Sequence, residues 1–139
     1  MNYEIAVYPK REKLMDLAGS QDTAPIVMLN LLKFHDVAQY KDGRAEKISG
    51  REAYMRYAKE MEKIVTAKGG RFLLAADLKA VVIGEVGELW DEVGLVEYPS
   101  AAGFFAIATS PEVLAISDHR EAGLAGQLLI RSSLVFEPH

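Results

Sequence analysis

The chain contains no cysteine, which excludes a disulfide framework, thiolate-bound zinc, iron–sulfur clusters and a cysteine nucleophile. It has no excess of positive charge: 16 Lys and Arg face 20 Asp and Glu for a net charge of -4. This balance argues against a nucleic-acid surface. No apolar run approaches the ~20 residues of a membrane-spanning helix, and the N-terminus has no apolar segment of signal-peptide length. We therefore predict a cytoplasmic protein without nucleic-acid or membrane partners.

The sequence also lacks the short motifs of cofactor and metal sites. Gly84 and Gly87 do not form a dinucleotide-binding fingerprint, no P-loop pattern occurs, and no serine stands in a nucleophile elbow. The three histidines, His35, His119 and His139, have no metal-ligand spacing with one another. One histidine would suffice to ligate haem, but nothing in the sequence indicates haem. We therefore predict neither a metal site nor a resident cofactor.

What is present is a strand that is apolar on both faces. With 139 residues, half of them hydrophobic, the chain is long enough for a single domain with its own core. Alternate residues of a strand point to opposite sides. One side carries Ile26, Met28, Asn30, Leu32 and Phe34, and the other carries Val27, Leu29, Leu31 and Lys33. Both faces of this strand must therefore be covered, or nearly so.

Helices and strands alternate along the rest of the chain. Ser49 and Glu52 form a capping box that begins a helix with an apolar stripe, and Gly69–Gly70 ends it. A helix follows Ser100 and is interrupted or kinked at Pro111. Further strands are predicted at Arg71–Ala75, Trp90–Tyr98 and Leu128–Phe136, with an excursion at Asp77–Leu89 that holds a short hairpin around Val81–Ile83. Residues 1–24 form an N-terminal extension with a short helix at Lys10–Ala18, before a core of residues 25–136.

The order strand, helix, strand, strand, helix, strand predicts an α+β, ferredoxin-like βαββαβ fold with an antiparallel sheet. Right-handed crossovers place its helices on one face of the sheet. The other face then carries half of Ile26–Phe34 and half of Leu128–Phe136, which are largely apolar, and a soluble monomer would not leave such a patch exposed. We therefore expect a homodimer that packs through its sheet faces.

Four segments together resemble the DUF1330 family of uncharacterised proteins: Pro25–Phe34, Gly69–Gly70, Glu97–Ser100 and Ser110–Glu112. The resemblance covers Pro25 to Ser133. It implies a ferredoxin-like fold of the dimeric α/β-barrel superfamily, whose members include cofactor-free monooxygenases, muconolactone-type isomerases, haem-binding chlorite dismutase-like enzymes and ligand-sensing domains. This chain differs from short family members in its N-terminal extension and in the excursion at Asp77–Leu89.

The adjacent His119 and Arg120 are the candidate catalytic residues. A helix C-terminus favours a protonated imidazole, so His119 could act as a general acid or base while Arg120 holds a carboxylate or enolate oxygen. The alternative is that both residues cap the helix end and contact solvent or a dimer partner.

Four further residues are candidates for binding a substrate. Asn30 is an amide in an apolar strand, so it either anchors neighbouring backbone or points at a ligand. Lys33 could attract an anion or simply extend to water. Tyr54 and Trp90 could line a pocket or belong to the core or the dimer interface.

Two functions of different kinds are consistent with these residues. The first is a cofactor-independent isomerase, lyase or monooxygenase-like enzyme that acts on a small oxygenated anionic molecule. The second is a non-catalytic ligand-binding or structural dimer. Whether His119 and Arg120 share a concave pocket with Asn30 separates the two.

Overall fold

The computed structural model describes residues 4–137. Its helices are α1 (Arg11–Ala18), α2 (Gly50–Ala67), α3 (Ala101–Ala108), α4 (Pro111–Leu114) and α5 (Ser117–Gly123). Its strands are β1 (Ile26–Phe34), β2 (Arg71–Asp77), β3 (Glu92–Tyr98) and β4 (Leu124–Ser132). No helix within residues 4–137 is both long and apolar enough to cross a membrane.

The four strands form one sheet in the order β2-β3-β1-β4, and every neighbouring pair is antiparallel. With α2 connecting β1 to β2 and α3 to α5 connecting β3 to β4, this is the predicted α+β, ferredoxin-like βαββαβ arrangement. β2 and β4 remain as the two edges, so the sheet of one chain is open and does not close into a barrel.

The helices lie on one face of the sheet, as predicted. The even-numbered side chains of β1 pack against them, with Ile26 and Met28 meeting Met61 and Val65 of α2. The register of the ladders assigns the other strands to the same two faces, because directly opposed residues share a face. Asn30 is opposite Gly94 and Leu129, and Leu32 is opposite Glu92 and Gln127, so all of these face the helices.

Local signals account for where the helices begin. The Ser49 hydroxyl accepts a hydrogen bond from the Glu52 N–H at 3.0 Å, which satisfies a donor that the first turn of α2 leaves free. Ser100 and Ser110 cap α3 and α4 in the same way. Pro111 is the first residue of α4, so the helical region that follows β3 is broken between α3 and α4.

Several predicted strand bounds were wrong, as was the predicted hairpin. β2 ends at Asp77 rather than at Ala75. β4 begins at Leu124 and ends at Ser132 instead of running from Leu128 to Phe136. It can begin early because Gly126 has no side chain, and Ile5 fills the space where a Cβ would lie. β3 begins at Glu92 rather than at Trp90. No hairpin forms around Val81–Ile83: residues 78–91 contain no strand, and Val82 and Ile83 are almost fully exposed.

The N-terminal segment joins the free edge of β4. Ala6 forms an isolated antiparallel bridge with Gln127, with two backbone hydrogen bonds of 3.3 and 2.7 Å. α1 follows and packs on α3, and Leu17 contacts the apolar core. The segment therefore lies beside β4, next to Gln127.

Candidate functional site

A polar side chain interrupts the core at the middle of β1. The buried apolar residues divide into two clusters, one around Ile26 and Met28 and the other around Leu32 and Phe34. Asn30 lies between them on the same strand face. Its Nδ2 donates to the carbonyls of Met28 at 3.2 Å and Gly94 at 3.4 Å. An amide at this position replaces apolar packing at the centre of the sheet, and such an exception to the apolar pattern is typical of a functional site.

The Asn30 amide is the first member of a chain of hydrogen bonds that ends at a cation. Gln127 of β4 donates from Nε2 to Asn30 Oδ1 at 2.8 Å. Arg120 of α5 donates from Nη2 to Gln127 Oε1 at 2.6 Å and to the Val7 carbonyl at 2.5 Å. Both acceptors are neutral. Within residues 4–137 Arg120 forms no ion pair, although its side chain is half-buried.

The side chains of Tyr54 and Tyr57 of α2 lie close to this chain of hydrogen bonds. The rings of Tyr54 and Tyr57 lie 5.5 Å apart. Burial raises the pKa of Tyr54 far above its ordinary value, and the nearby charge of Arg120 acts in the opposite direction. Burial likewise raises the pKa of Tyr57, again against Arg120. Both hydroxyls therefore stay protonated at neutral pH and remain donors close to the guanidinium.

The space around Asn30 is partly open. A Cβ placed on Gly94 would meet nothing nearer than the Leu74 carbonyl at 3.9 Å. Leu129, opposite Asn30 on β4, keeps 41% of its surface exposed, and Asn30 is only half-buried. No enclosed side-chain polar atom in residues 4–137 lacks a hydrogen-bond partner. We call the region bounded by Asn30, Tyr54, Tyr57, Gly94, Arg120 and Gln127 the central cleft.

His119 lies outside the central cleft. Because it precedes Arg120 by one residue on a helix, its side chain points about 100° away. Its Nδ1 is 2.7 Å from the Tyr40 hydroxyl, and the Arg44 guanidinium stacks on the Tyr40 ring, 3.9 Å from the ring centroid. A surface hollow of about 170 Å³ lies beside this group, lined by Tyr40, Asp118 and Glu121 among others. The structure therefore separates the two residues that the sequence placed together. His139 lies outside the described residues.

Lys33 and Trp90 are also apart from Asn30. Lys33 is an odd-numbered residue of β1, so it projects from the sheet face that the helices leave bare. Its Nζ is 2.9 Å from Glu88 and 3.4 Å from Asp91, and it donates to the Leu89 carbonyl at 3.2 Å. The hydrogen bond to Glu88 raises its pKa above the ordinary value. Trp90 lines a small hollow of about 50 Å³ on that side with Lys33 and Ile5.

Of the six predicted site residues, the structure brings together Asn30, Tyr54 and Arg120. Gln127, which joins Asn30 to Arg120, was missed because the sequence shows it only as the residue before an apolar run. A carboxylate was missed as well. Glu92 faces the helices with 13% of its side chain exposed, and it pairs at 3.0 Å with Arg51, which also holds Asp77. Burial raises the pKa of Glu92.

The family model described as "Domain of unknown function (DUF1330)" matches residues 43–133. The chain belongs to the DUF1330 family. The match begins later than the predicted Pro25, so β1, on which part of the resemblance depended, lies outside it. Among curated proteins none matches the chain.

Two solved structures are similar to nearly the whole chain. The crystal structure of methylated RPA0582 protein is 30% identical with a TM-score of 0.84, and the alignment covers 94% of this chain and 96% of that one. The structure of RPA0582, a protein of unknown function from Rhodopseudomonas palustris, is 28% identical with a TM-score of 0.82, covering 94% and 98%. A Bacteroides fragilis protein described as dimeric, of unknown function and with a ferredoxin-like fold, is 13% identical with a TM-score of 0.45, covering 79% and 96%.

Proposed function

We propose that this DUF1330 protein binds a small oxygenated organic anion in the central cleft. The observation that carries the proposal is Arg120, a half-buried guanidinium whose hydrogen-bond partners among the described residues are both neutral. A partly desolvated cation without a counter-ion is costly to keep and attracts an anionic oxygen strongly. Its Nε and Nη1 make no hydrogen bond within residues 4–137, so they are free to donate to a ligand.

The same groups support enzyme chemistry that needs no resident cofactor. A guanidinium and protonated phenols around one oxygen stabilise negative charge that develops there, as in an enolate or a tetrahedral oxyanion. Isomerisation, elimination and oxygenation of an activated substrate all pass through such charge. We therefore propose Arg120 as the catalytic residue, with Asn30, Tyr54 and Gln127 orienting the bound oxygens. The alternative is a binding protein that uses the cleft without turnover.

The proposal is tested by ligand binding to matched arginine variants. Wild type, Arg120→Gln and Arg71→Gln are screened against a panel of small carboxylates and hydroxy or keto acids by thermal shift. Arg71 is an exposed arginine that pairs with Glu97 at 3.0 Å on the other sheet face, so its loss should change little. We expect stabilisation by at least one anion in wild type and Arg71→Gln, and none in Arg120→Gln. Equal responses of all three proteins would contradict the proposal.

Turnover separates the enzyme from the binding protein. Any compound that stabilises wild type is incubated with it aerobically and anaerobically, and the mixture is followed by NMR. Conversion that disappears in Arg120→Gln supports the enzyme. Binding without conversion under both conditions favours the non-catalytic alternative.

We further propose a homodimer that packs through the bare sheet face. This face carries apolar residues on all four strands, among them the half-buried Leu29 and Leu31 of β1. Leu74 of β2 and Ile130 of β4 keep 50% and 46% of their surface exposed. An apolar surface that spans a whole sheet is typical of an interface, and a two-fold axis would cover it with a second copy.

The dimer is tested by mass measurement in solution. Multi-angle light scattering at micromolar concentration should give twice the mass of the chain for wild type. Leu74→Glu and Ile130→Glu should shift the protein toward monomer, because each places a charge within the interface. Leu114→Glu is the control, since Leu114 is 62% exposed on α4 and lies away from the sheet. A monomeric wild type would overturn this part of the proposal.

A further inference from the structure

We propose that the central cleft selects a monoanion, meaning a single carboxylate or enolate on an otherwise uncharged, apolar body, and that it discriminates against dicarboxylates and phosphate. This inference rests on the proposed function and names the class of ligand that the site takes.

The cations that face the cleft limit the negative charge that it can accept. Arg120 is the only one of them without a carboxylate partner in the described part of the chain. Arg51, at the start of α2, is shared between Asp77 at 2.7 Å and Glu92 at 3.0 Å. Arg131, two residues beyond Leu129 on β4, reaches Asp22 at 3.6 Å. A ligand with one negative charge is therefore matched by Arg120, whereas a second negative charge would find no free cation.

A carboxylate lies on the same sheet face as the cleft. Glu92 lies two residues from Gly94 on β3, so its Cα is about 7 Å from the open space above that glycine. Glu92 shares Arg51 with Asp77, and Asp77 also lies 3.9 Å from Lys79, so this group offers no excess of positive charge. Tyr54 lies between the two ends of the face: the charge of Glu92 raises its pKa and the charge of Arg120 lowers it. A second ligand charge placed away from Arg120 therefore finds no free cation among the described residues and is repelled by Glu92.

The remaining exposed walls of the cleft are apolar. Leu129, opposite Asn30, keeps 41% of its surface exposed. Tyr57 is partly buried and packs against both core clusters. These surfaces gain by covering the apolar part of a ligand, and they offer no hydration to a second charged group. The amides of Asn30 and Gln127 remain suitable for a neutral hydroxyl or keto oxygen.

The test compares ligands of different charge. Benzoate, its neutral analogue benzamide, the dianion phthalate and inorganic phosphate are titrated into the wild-type full chain by ¹H–¹⁵N NMR at constant ionic strength. We expect benzoate to shift amide signals of β1 and β4, with benzamide, phthalate and phosphate each binding about tenfold more weakly or not at all. Glu92→Gln should narrow the difference between benzoate and phthalate, and the exposed control Glu85→Gln should leave it unchanged.

The outcomes distinguish the inference from the function on which it rests. If none of the three anions shifts these signals, or if benzamide binds as well as benzoate, the anion site itself is refuted. If anions bind but phthalate or phosphate equals or exceeds benzoate, the monoanion selectivity is refuted while the proposed function stands. If Glu92→Gln leaves the ratio of the benzoate and phthalate affinities unchanged, Glu92 does not contribute to the selectivity, and the repulsion ascribed to it is refuted.

Discussion

The contact between Gly50 and Gly123 offers the sharpest stability prediction. Gly50 begins α2 and Gly123 ends α5, and their backbones touch. A Cβ on Gly123 would lie 2.4 Å from the Gly50 carbonyl oxygen, 2.9 Å from the Tyr54 nitrogen and 3.0 Å from the Tyr54 Cβ. Since the first two are backbone atoms, no side chain can rotate away. Gly123→Ala therefore forces the two helices apart, and these are the helices that carry Tyr54 and Arg120.

The expected loss in the free energy of unfolding is the sum of three effects. Relief of the closest contact requires a shift of about 1 Å, and overpacking of this kind costs typically 1–3 kcal/mol. The shift also weakens the hydrogen bond from the His35 N–H to the Gly123 carbonyl at 2.8 Å, which contributes about 1 kcal/mol. Alanine recovers about 0.5–1 kcal/mol through its better helix propensity, and φ of Gly123 is not positive. The net loss should be about 2–3 kcal/mol.

A chain of this length loses about 3 °C in Tm for each kcal/mol, so Gly123→Ala should unfold about 6–9 °C below wild type in a calorimetric scan. Gly87→Ala is the matched control, because no atom lies within 4 Å of its Cβ position and its φ is not positive. The control should stay within about 0.5 kcal/mol of wild type. A Gly123→Ala protein as stable as wild type would refute the close backbone contact and with it the placement of α5 against α2.

Three other predictions concern single polar residues. Because burial raises the pKa of Glu92 above its ordinary 4.5, the folded state holds that proton more tightly than the unfolded chain, and stability is lost as pH rises through the folded pKa. Glu92→Gln should therefore gain in Tm relative to wild type as the pH rises above about 4.5, and a pH-independent difference would contradict this. Asn30→Leu should leave the free energy of unfolding unchanged or raise it by about 1 kcal/mol while abolishing benzoate binding; a loss above about 2 kcal/mol in urea unfolding would show that Asn30 is a structural anchor. Ser110→Ala should cost about 1 kcal/mol in the same measurement, since Ser110 Oγ accepts from the Val113 N–H and donates to the Ile107 carbonyl at 2.7 Å.

The regular elements were predictable because their signals are local. Period-two alternation defined β1 with the bounds that the structure has, and Ser49 marked the start of α2 through its hydroxyl cap. β4 was misplaced because Gly123 and Gly126 look like helix-ending glycines along the chain. In the structure both positions need glycine for a different reason: the backbone of Gly123 contacts Gly50, and the Ile5 side chain packs against Gly126. Contacts between residues far apart in sequence leave no periodic signal.

The candidate site shows the same division. The sequence by itself determined the fold class and singled out Asn30 and Arg120, because an amide in an apolar strand and a charged residue before the last strand stand out from their neighbours. Only the tertiary structure decided which residues lie next to Asn30 and Arg120. The helical step between His119 and Arg120 turns the two side chains in different directions. Gln127 joins Arg120 to Asn30 because β4 pairs with β1 in this register. The strand pleat likewise sends Lys33 to the opposite face from Asn30. Residue type suggests what a side chain can do, and the register and packing of distant elements decide which side chains do it together.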